Sequence, residues 1–252
     1  MDEQKPDHAH WTAVADQWIK WAGTPGHDAF WAYRDGFVNY LGAGSGRALE
    51  IGCGEGRISR EARALGYQVT ATDAVAAMVD AASAAQSADS YAVAPAAALP
   101  FADGAFDLVI AYNVLMDVDD VPAALREARR VLAAGGTLFV SIVHPFRDRG
   151  RFADKSAGAP FIVEGTYYGR EHFDGVESRD GLSMHFAGWS LPLQDYMAAL
   201  ESAGLAIVSL REPQPDAAST EQLRQWSRMP MFLWIKARAL PAGQARVPEE
   251  KP

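Results

Sequence analysis

The chain of 252 residues has little of what several classes of function require. Its single cysteine, Cys53, excludes an internal disulfide and leaves nothing from which a cysteine-built zinc site or a dithiol redox centre could be assembled. No apolar run is long enough to span a bilayer, and the opening MDEQKPDHAHW has no apolar stretch behind a basic cluster, so a cytoplasmic address and no membrane partner are expected. Basic residues are in deficit. The 23 Lys and Arg against 32 Asp and Glu give a formal net charge of -9, which repels a phosphate backbone, so nucleic acid is not an expected partner. The nearest approach to a basic patch, Arg147, Arg149 and Arg151, reads as a short solvated loop.

The remaining composition, 49% hydrophobic and 22% charged, is that of an ordinary globular protein, and the length fits one large α/β domain. From Arg47 to His144, short apolar runs alternate with amphipathic segments, the pattern of consecutive βα units in a parallel sheet. ALEIG, YQVTATD, YAVAP, FDLVIAY and GTLFVSIV read as strands. ISREARALG, AVAAMVDAASAA and VPAALREARRVLAAGG read as helices, with Gly66 and Gly135 at their stops. From Pro145 to Trp189 the pattern breaks into Gly, Pro, Asp and aromatic residues, which predicts a lid or cap over 145–189. LPLQDYMAALESAG then predicts a helix, and LAIVSL and MFLWIKARA two more strands. Two aromatic-rich helices are expected within 1–42, one domain over 1–240, and a disordered tail at 241–252.

ALEIGCGEGRISREARALG carries the most chemistry, because an apolar strand runs through a glycine loop straight into a helix. Gly52, Gly54 and Gly56 let the chain turn tightly and bring backbone N–H groups close to a ligand. A dinucleotide-binding loop would more often read G-x-G-x-x-G, yet Arg57 stands at the last glycine's place. Glu50 sits inside an otherwise apolar strand end, where a carboxylate is costly unless a cation or hydrogen-bond donor satisfies it. Asp73 ends the next strand, about 20 residues beyond the loop, where it would accept ribose hydroxyls or else cap the helix beginning near Val75.

In order and spacing, LEIGCGEGRISR, VTATD, ALPFADGAFDLVIAYNVLMDVDD and LAAGGTLFVSIV resemble the class I S-adenosylmethionine-dependent methyltransferases, particularly the subgroup with an LPF motif, over roughly Arg47 to His144. The resemblance implies a Rossmann-like methyltransferase fold. Its seven-stranded, mostly parallel sheet has an antiparallel last strand and helices on both faces, with the cap inserted after the fifth strand. It implies S-adenosylmethionine as cofactor, with Glu50 and the Gly52 to Gly56 loop on the methionine part and Asp73 on the ribose. Ala74 and Met78 would touch the adenine, Met78 being equally suited to the core, while Tyr112 and Asn113 would line the methionine and methyl-donor pocket. Arg57 would hold the methionine carboxylate or make a surface salt bridge, and Cys53 would pack beneath the cofactor. Relatives often carry an acid four residues before the Leu of LPF to accept the adenine amino group. Pro95 stands there in this chain, which leaves adenine to backbone groups near Ala96 and Ala97. Asp117 stands where many relatives have a histidine.

Methyl transfer needs mainly alignment, so a base matters only for a poorly ionised acceptor. His144, ending the fifth strand at the sheet's carboxyl edge, is the expected base, a structural histidine before Pro145 being the alternative. Trp21, Tyr33, Tyr168 and His185 are the expected substrate contacts, for a small aromatic or apolar acceptor of an O, N or C methylation. The rivals are a non-catalytic S-adenosylmethionine-binding protein and a nicotinamide-dependent oxidoreductase. The protein is expected to be a monomer or homodimer.

Overall fold

The computed structural model describes residues 7–217, 219 and 223–240. Two helices, α1 (Asp7–Gly23) and α2 (Phe30–Leu41), precede the sheet. The alternating region forms β1 (Arg47–Ile51), α3 (Arg57–Ala64), β2 (Gln68–Asp73), α4 (Ala76–Ala84), β3 (Ser90–Val93), β4 (Phe106–Tyr112), α5 (Val121–Val131) and β5 (Leu132–Val143). Beyond it lie β6 (Gly150–Phe152), β7 (Phe161–Val163), β8 (Glu171–Arg179), β9 (Leu182–Ser190), α6 (Leu193–Ser202), β10 (Leu205–Arg211) and β11 (Phe232–Ala239). The main sheet runs β10-β11-β5-β4-β1-β2-β3, with β11 antiparallel to both its neighbours, the Rossmann-like order the motifs imply. Strand order reverses between β1 and β4, and in open α/β sheets a crevice opens at the carboxyl ends there.

Alternate residues of the central strands feed two cores, which is why these strands read as unbroken apolar runs. Leu49, Ile51, Val109, Ala111, Val140 and Ile142 face α5 and α6. Ala48, Ile110, Tyr112, Phe139 and Trp234 face α2 and α3, meeting Phe37, Leu41, Ile58 and Ala62. The helix expected through Gly136 ends at Val131, because Leu132 is buried in the sheet opposite Phe106 and Gly135 takes a φ of 78° that no α-helix accommodates. Asp120 starts this helix, its carboxylate accepting the Ala123 N–H at 2.8 Å.

The segment expected as an irregular cap is two antiparallel hairpins, β6–β7 and β8–β9. Asp180 and Gly181, both at positive φ (49° and 79°), make the two-residue turn of β8–β9, a signal present in the sequence as Asp-Gly. Helix α1 lies across β9, with Trp11, Val14, Trp18 and Trp21 around Met184 and Phe186. Arg149 corrects the solvated-loop reading: its side chain is fully buried, donates to the carbonyls of Thr166, Gly169 and Ser190, and pairs with Glu171 at 2.8 Å. Arg151 pairs with Glu164, and Arg147 lies 5.7 Å over the Trp226 ring. The expected tail at 241–252 lies outside the described residues. Replacing Gly181 by Val puts a β-branched residue at positive φ, at a cost of about 1–2 kcal/mol. Hydrogen exchange should then speed up by about tenfold at β8–β9 amides and stay unchanged in β1 and β4.

Candidate functional site

A cavity of about 880 Å³ opens at the carboxyl ends of β1, β2 and β4 and runs beneath α1 and the β8–β9 hairpin. The turn after β1 forms its floor. Gly52 and Gly54 sit at φ of 70° and 52°, and a Cβ on either would come within 2.3 Å of Val114 or 2.7 Å of the Trp18 indole nitrogen, so both conformation and space demand glycine. Gly54 donates its N–H to Asp73 Oδ2 at 2.9 Å, while Asp73 Oδ1 accepts the Val75 N–H at 2.9 Å. Asp73 thus joins the loop to the head of α4. Burial raises its carboxyl above the ordinary range against these backbone donors.

Glu50 shares the α3-facing side of β1 with Ala48, and Ser59, on the first turn of α3, donates its hydroxyl to Glu50 Oε2. It is 1% exposed, and no cation pairs with it among the described residues. Burial pushes it up to about 8 despite the Ser59 bond, and the neighbouring Glu55 and Asp73 carboxylates add to the rise. Cys53 is buried in the same turn, and burial likewise raises its thiol, which keeps it protonated and unreactive.

Arg57 opens α3 and pairs with Asp28 at 2.6 Å, both side chains largely buried, with its guanidinium 4.5 Å from the Phe30 ring centroid. This fixes the connection between α1 and α2 against the glycine loop. Asn113, at φ 50°, turns the chain after β4; its N–H donates to the Ser141 carbonyl at 2.8 Å and its Oδ1 accepts the Ser141 hydroxyl at 2.7 Å.

Of the residues expected to contact the cofactor, Glu50, Gly52, Cys53, Gly54, Arg57, Asp73, Ala74, Met78, Ala96, Tyr112 and Asn113 line this one cavity. Met78 lines the cavity and also packs in the core with Ala15 and Val75. Gly56 and Ala97 are corrected outward: Gly56 closes against Ser87 behind the loop, and Ala97 is exposed while Ala94 and Ala96 face the cavity.

Among the expected substrate contacts only Trp21 lines the cavity. Tyr33 is 1% exposed and packs edge-on to Phe232 in the core, because α2 turns that face to the sheet. Tyr168 is 69% exposed, and His185 points away, its Nε2 2.9 Å from Asp174. His144 is also displaced from the cavity lining, since β5 sends it toward the strand end of β10. Its Nδ1 accepts the Phe146 N–H at 3.3 Å, so Nε2 carries the proton and donates to Glu212 at 3.1 Å, while burial pulls the ring below its ordinary pKa. Sequence reasoning missed His27, Asp28, Asp148 and Arg179, which line the cavity from the α1–α2 connection, the turn after β5 and the end of β8. Asp28 carried a helix-start signal, and its carboxylate does accept the Phe30 N–H at 2.9 Å, but its pairing with Arg57 spans 29 residues.

A family model described as a methyltransferase domain matches residues 49–140. The chain is 32% identical over 192 residues to a malonyl-[acyl-carrier protein] O-methyltransferase of Erwinia pyrifoliae, covering 72% of each chain. It is 31% identical over 159 residues to a ubiquinone biosynthesis O-methyltransferase of Xanthomonas campestris pv. campestris, covering 61% of this chain and 66% of that one. An S-adenosylmethionine-dependent methyltransferase structure from Mesorhizobium loti superposes with a TM-score of 0.65 at 23% identity, over 84% of this chain and 98% of that one, a likeness of fold.

The raised Glu50 pKa makes stability depend on pH in a fixed direction. The folded state holds a proton that the unfolded chain releases, so the contribution is fully present below 4.5 and is lost as pH rises to about 8. In the ligand-free protein the urea midpoint should fall across that window, and Glu50→Gln should flatten the fall; parallel slopes would remove Glu50 as its source.

Proposed function

Because the chain belongs to the class I S-adenosylmethionine-dependent methyltransferases, we propose that it transfers a methyl group to an oxygen atom of a small, aromatic or apolar acceptor. The observation that carries the site is the convergence of the Gly54 amide, Asp73 and a buried Glu50 without a cationic partner on one cavity. The donor set fits the cofactor. Glu50 suits its ammonium group, Asp73 its ribose hydroxyls, and the glycines at 52 and 54 let the turn approach it closely. Ala74, Met78 and Ala96 offer an apolar slot for adenine, and Arg57, Tyr112 and Asn113 close the methionine end.

When bound, S-adenosylmethionine supplies a methyl group already activated as a sulfonium. What the chain's own residues contribute is alignment and exclusion of water. The turns after β1 and β4 are each pinned by a backbone hydrogen bond, from Cys53 to the Thr72 carbonyl and from Asn113 to the Ser141 carbonyl, and Trp18, Trp21 and Phe186 roof the cavity. With His144 engaged by Glu212 and Phe146, an acceptor that is readily ionised suits the cavity best. Oxygen is favoured because both relatives above are named O-methyltransferases. In this proposal one domain within residues 1–240 acts in the cytoplasm, as a monomer or homodimer and without nucleic acid. The net charge of -9 supports the exclusion of nucleic acid, and among the described residues no helix is long and apolar enough to cross a membrane.

Asp73→Asn keeps a hydrogen-bonding side chain but removes the charge. It should weaken S-adenosylhomocysteine by about 10- to 100-fold in calorimetry, the range of one or two charge-assisted hydrogen bonds, while thermal unfolding stays cooperative. Labelled-methyl transfer screened over hydroxylated and carboxylated metabolites should give base-labile or phenolic methyl products. Tight S-adenosylhomocysteine binding with no transfer to any acceptor would favour the non-catalytic reading instead.

A further inference from the structure

The roof of the cavity holds a second group of polar side chains that the cofactor assignment leaves unused. His27 is 4% exposed and Trp21 5%, both line the cavity, and their rings meet edge to face with centroids 4.3 Å apart. Among the described residues, neither the Trp21 indole nitrogen nor His27 Nε2 has a hydrogen-bond partner, although both atoms are buried. A buried polar atom left unmet costs about 1–3 kcal/mol, so two of them in one cavity wall mark a place where a ligand is expected to complete the bonding.

The chemistry of these atoms selects the ligand. An indole N–H can only donate, so its partner must be an acceptor, which rules out an ammonium group at this point. Two further cavity-lining indoles, Trp11 and Trp31, also lack acceptors among the described residues, which extends the same bias along the wall. Arg179 stands at the rim with one Nη donating to the His27 carbonyl at 2.5 Å, and no carboxylate pairs with it among the described residues. The imidazole is held from several sides: its backbone N–H donates to the Thr24 carbonyl at 3.1 Å, Trp21 packs on the ring, and Nδ1 faces Asp180 at 4.0 Å. Nδ1 is too far from Asp180 for a hydrogen bond, so the ring is free to carry its proton on Nε2, where it donates into the cavity.

We propose that Trp21, His27 and Arg179 form a subsite that binds a carboxylate of the methyl acceptor. The inference rests on the proposed function for the identity of the cavity and adds the acceptor's chemical class. It also assigns the β8–β9 hairpin a recognition role, since Arg179 ends β8 and Asp180 opens the turn that follows. The neighbouring Asp28, tied to Arg57, places this subsite directly beside the cofactor loop.

Benzoate is a suitable probe, an aromatic carboxylate matched to an aromatic-walled cavity. In ¹⁵N–¹H spectra of the full chain, with and without S-adenosylhomocysteine, the Trp21 indole signal is assigned by its loss in Trp21→Phe. Benzoate should shift that signal saturably with a millimolar Kd, as expected of so small a fragment, and benzylamine should leave it in place. His27→Ala should weaken benzoate about tenfold and Arg179→Met about threefold. Arg179 is at the rim, so its variant carries the test if His27→Ala fails to fold. The subsite is overturned if benzoate at about 10 mM leaves the Trp21 signal unmoved, if benzylamine shifts it as well, or if neither variant changes the affinity. Failure of S-adenosylhomocysteine to bind would instead overturn the proposed function, and the benzoate titration of the ligand-free protein would still report on the subsite.

Discussion

The hydrogen bond from the Gly54 amide to Asp73 is the constraint on which the site depends. It joins a turn that only glycine can make to the end of the neighbouring strand, and the same carboxylate then fixes the start of α4 through Val75. It adds to the β1–β2 backbone ladder and the Cys53 N–H bond to the Thr72 carbonyl, so that the turn, the strand end and the start of α4 are held together at one point. The arrangement has an energetic cost, since Asp73 and Glu50 are both withdrawn from water and both carboxyls are raised by that withdrawal. Carboxylates kept in such a state without a cation are poised for a ligand that brings donors and positive charge.

The walls of the cavity are built differently from its floor. The floor belongs to the sheet and is pinned by backbone bonds, whereas the roof is assembled from α1, the α1–α2 connection and the β8–β9 hairpin, packed around Trp18, Trp21 and Phe186. Two ion pairs brace this roof. Arg57–Asp28 ties it to the glycine loop, and Arg149, fully buried among carbonyls, holds the segment between β5 and β9 together. A buried guanidinium serves this purpose because its planar donors can satisfy several carbonyls at once. The floor thus rests on the geometry of an α/β sheet edge, while the roof rests on elements whose positions are set by side chains.

The floor was legible in the sequence. Glycines at 52 and 54 and an acid at 73 follow from local rules about turns and strand ends, and nearly all the cofactor residues named from motifs face the cavity. The acceptor side was not legible. Tyr33, Tyr168, His185 and His144 have side chains of the right chemistry, but their direction depends on helix rotation and hairpin register, and each points into the core, toward solvent or to a neighbouring carboxylate. Arg149 shows the same limit from the other side, a charged residue in a Gly- and Asp-rich stretch that tertiary packing buries completely.

By itself, then, the sequence determined the order of the strands and helices of the main sheet, the tight turn after β1 and the carboxylates near the ends of β1 and β2. These are encoded in patterns spanning a few residues, where steric and hydrogen-bonding preferences are local. Only the tertiary structure decided that His27, Trp21 and Arg179 share a wall, that Asp28 answers Arg57, and that His144 turns to Glu212. Such meetings join segments far apart in the chain. They are set by how α1 and the hairpin pack over the sheet, and no local periodicity records that packing.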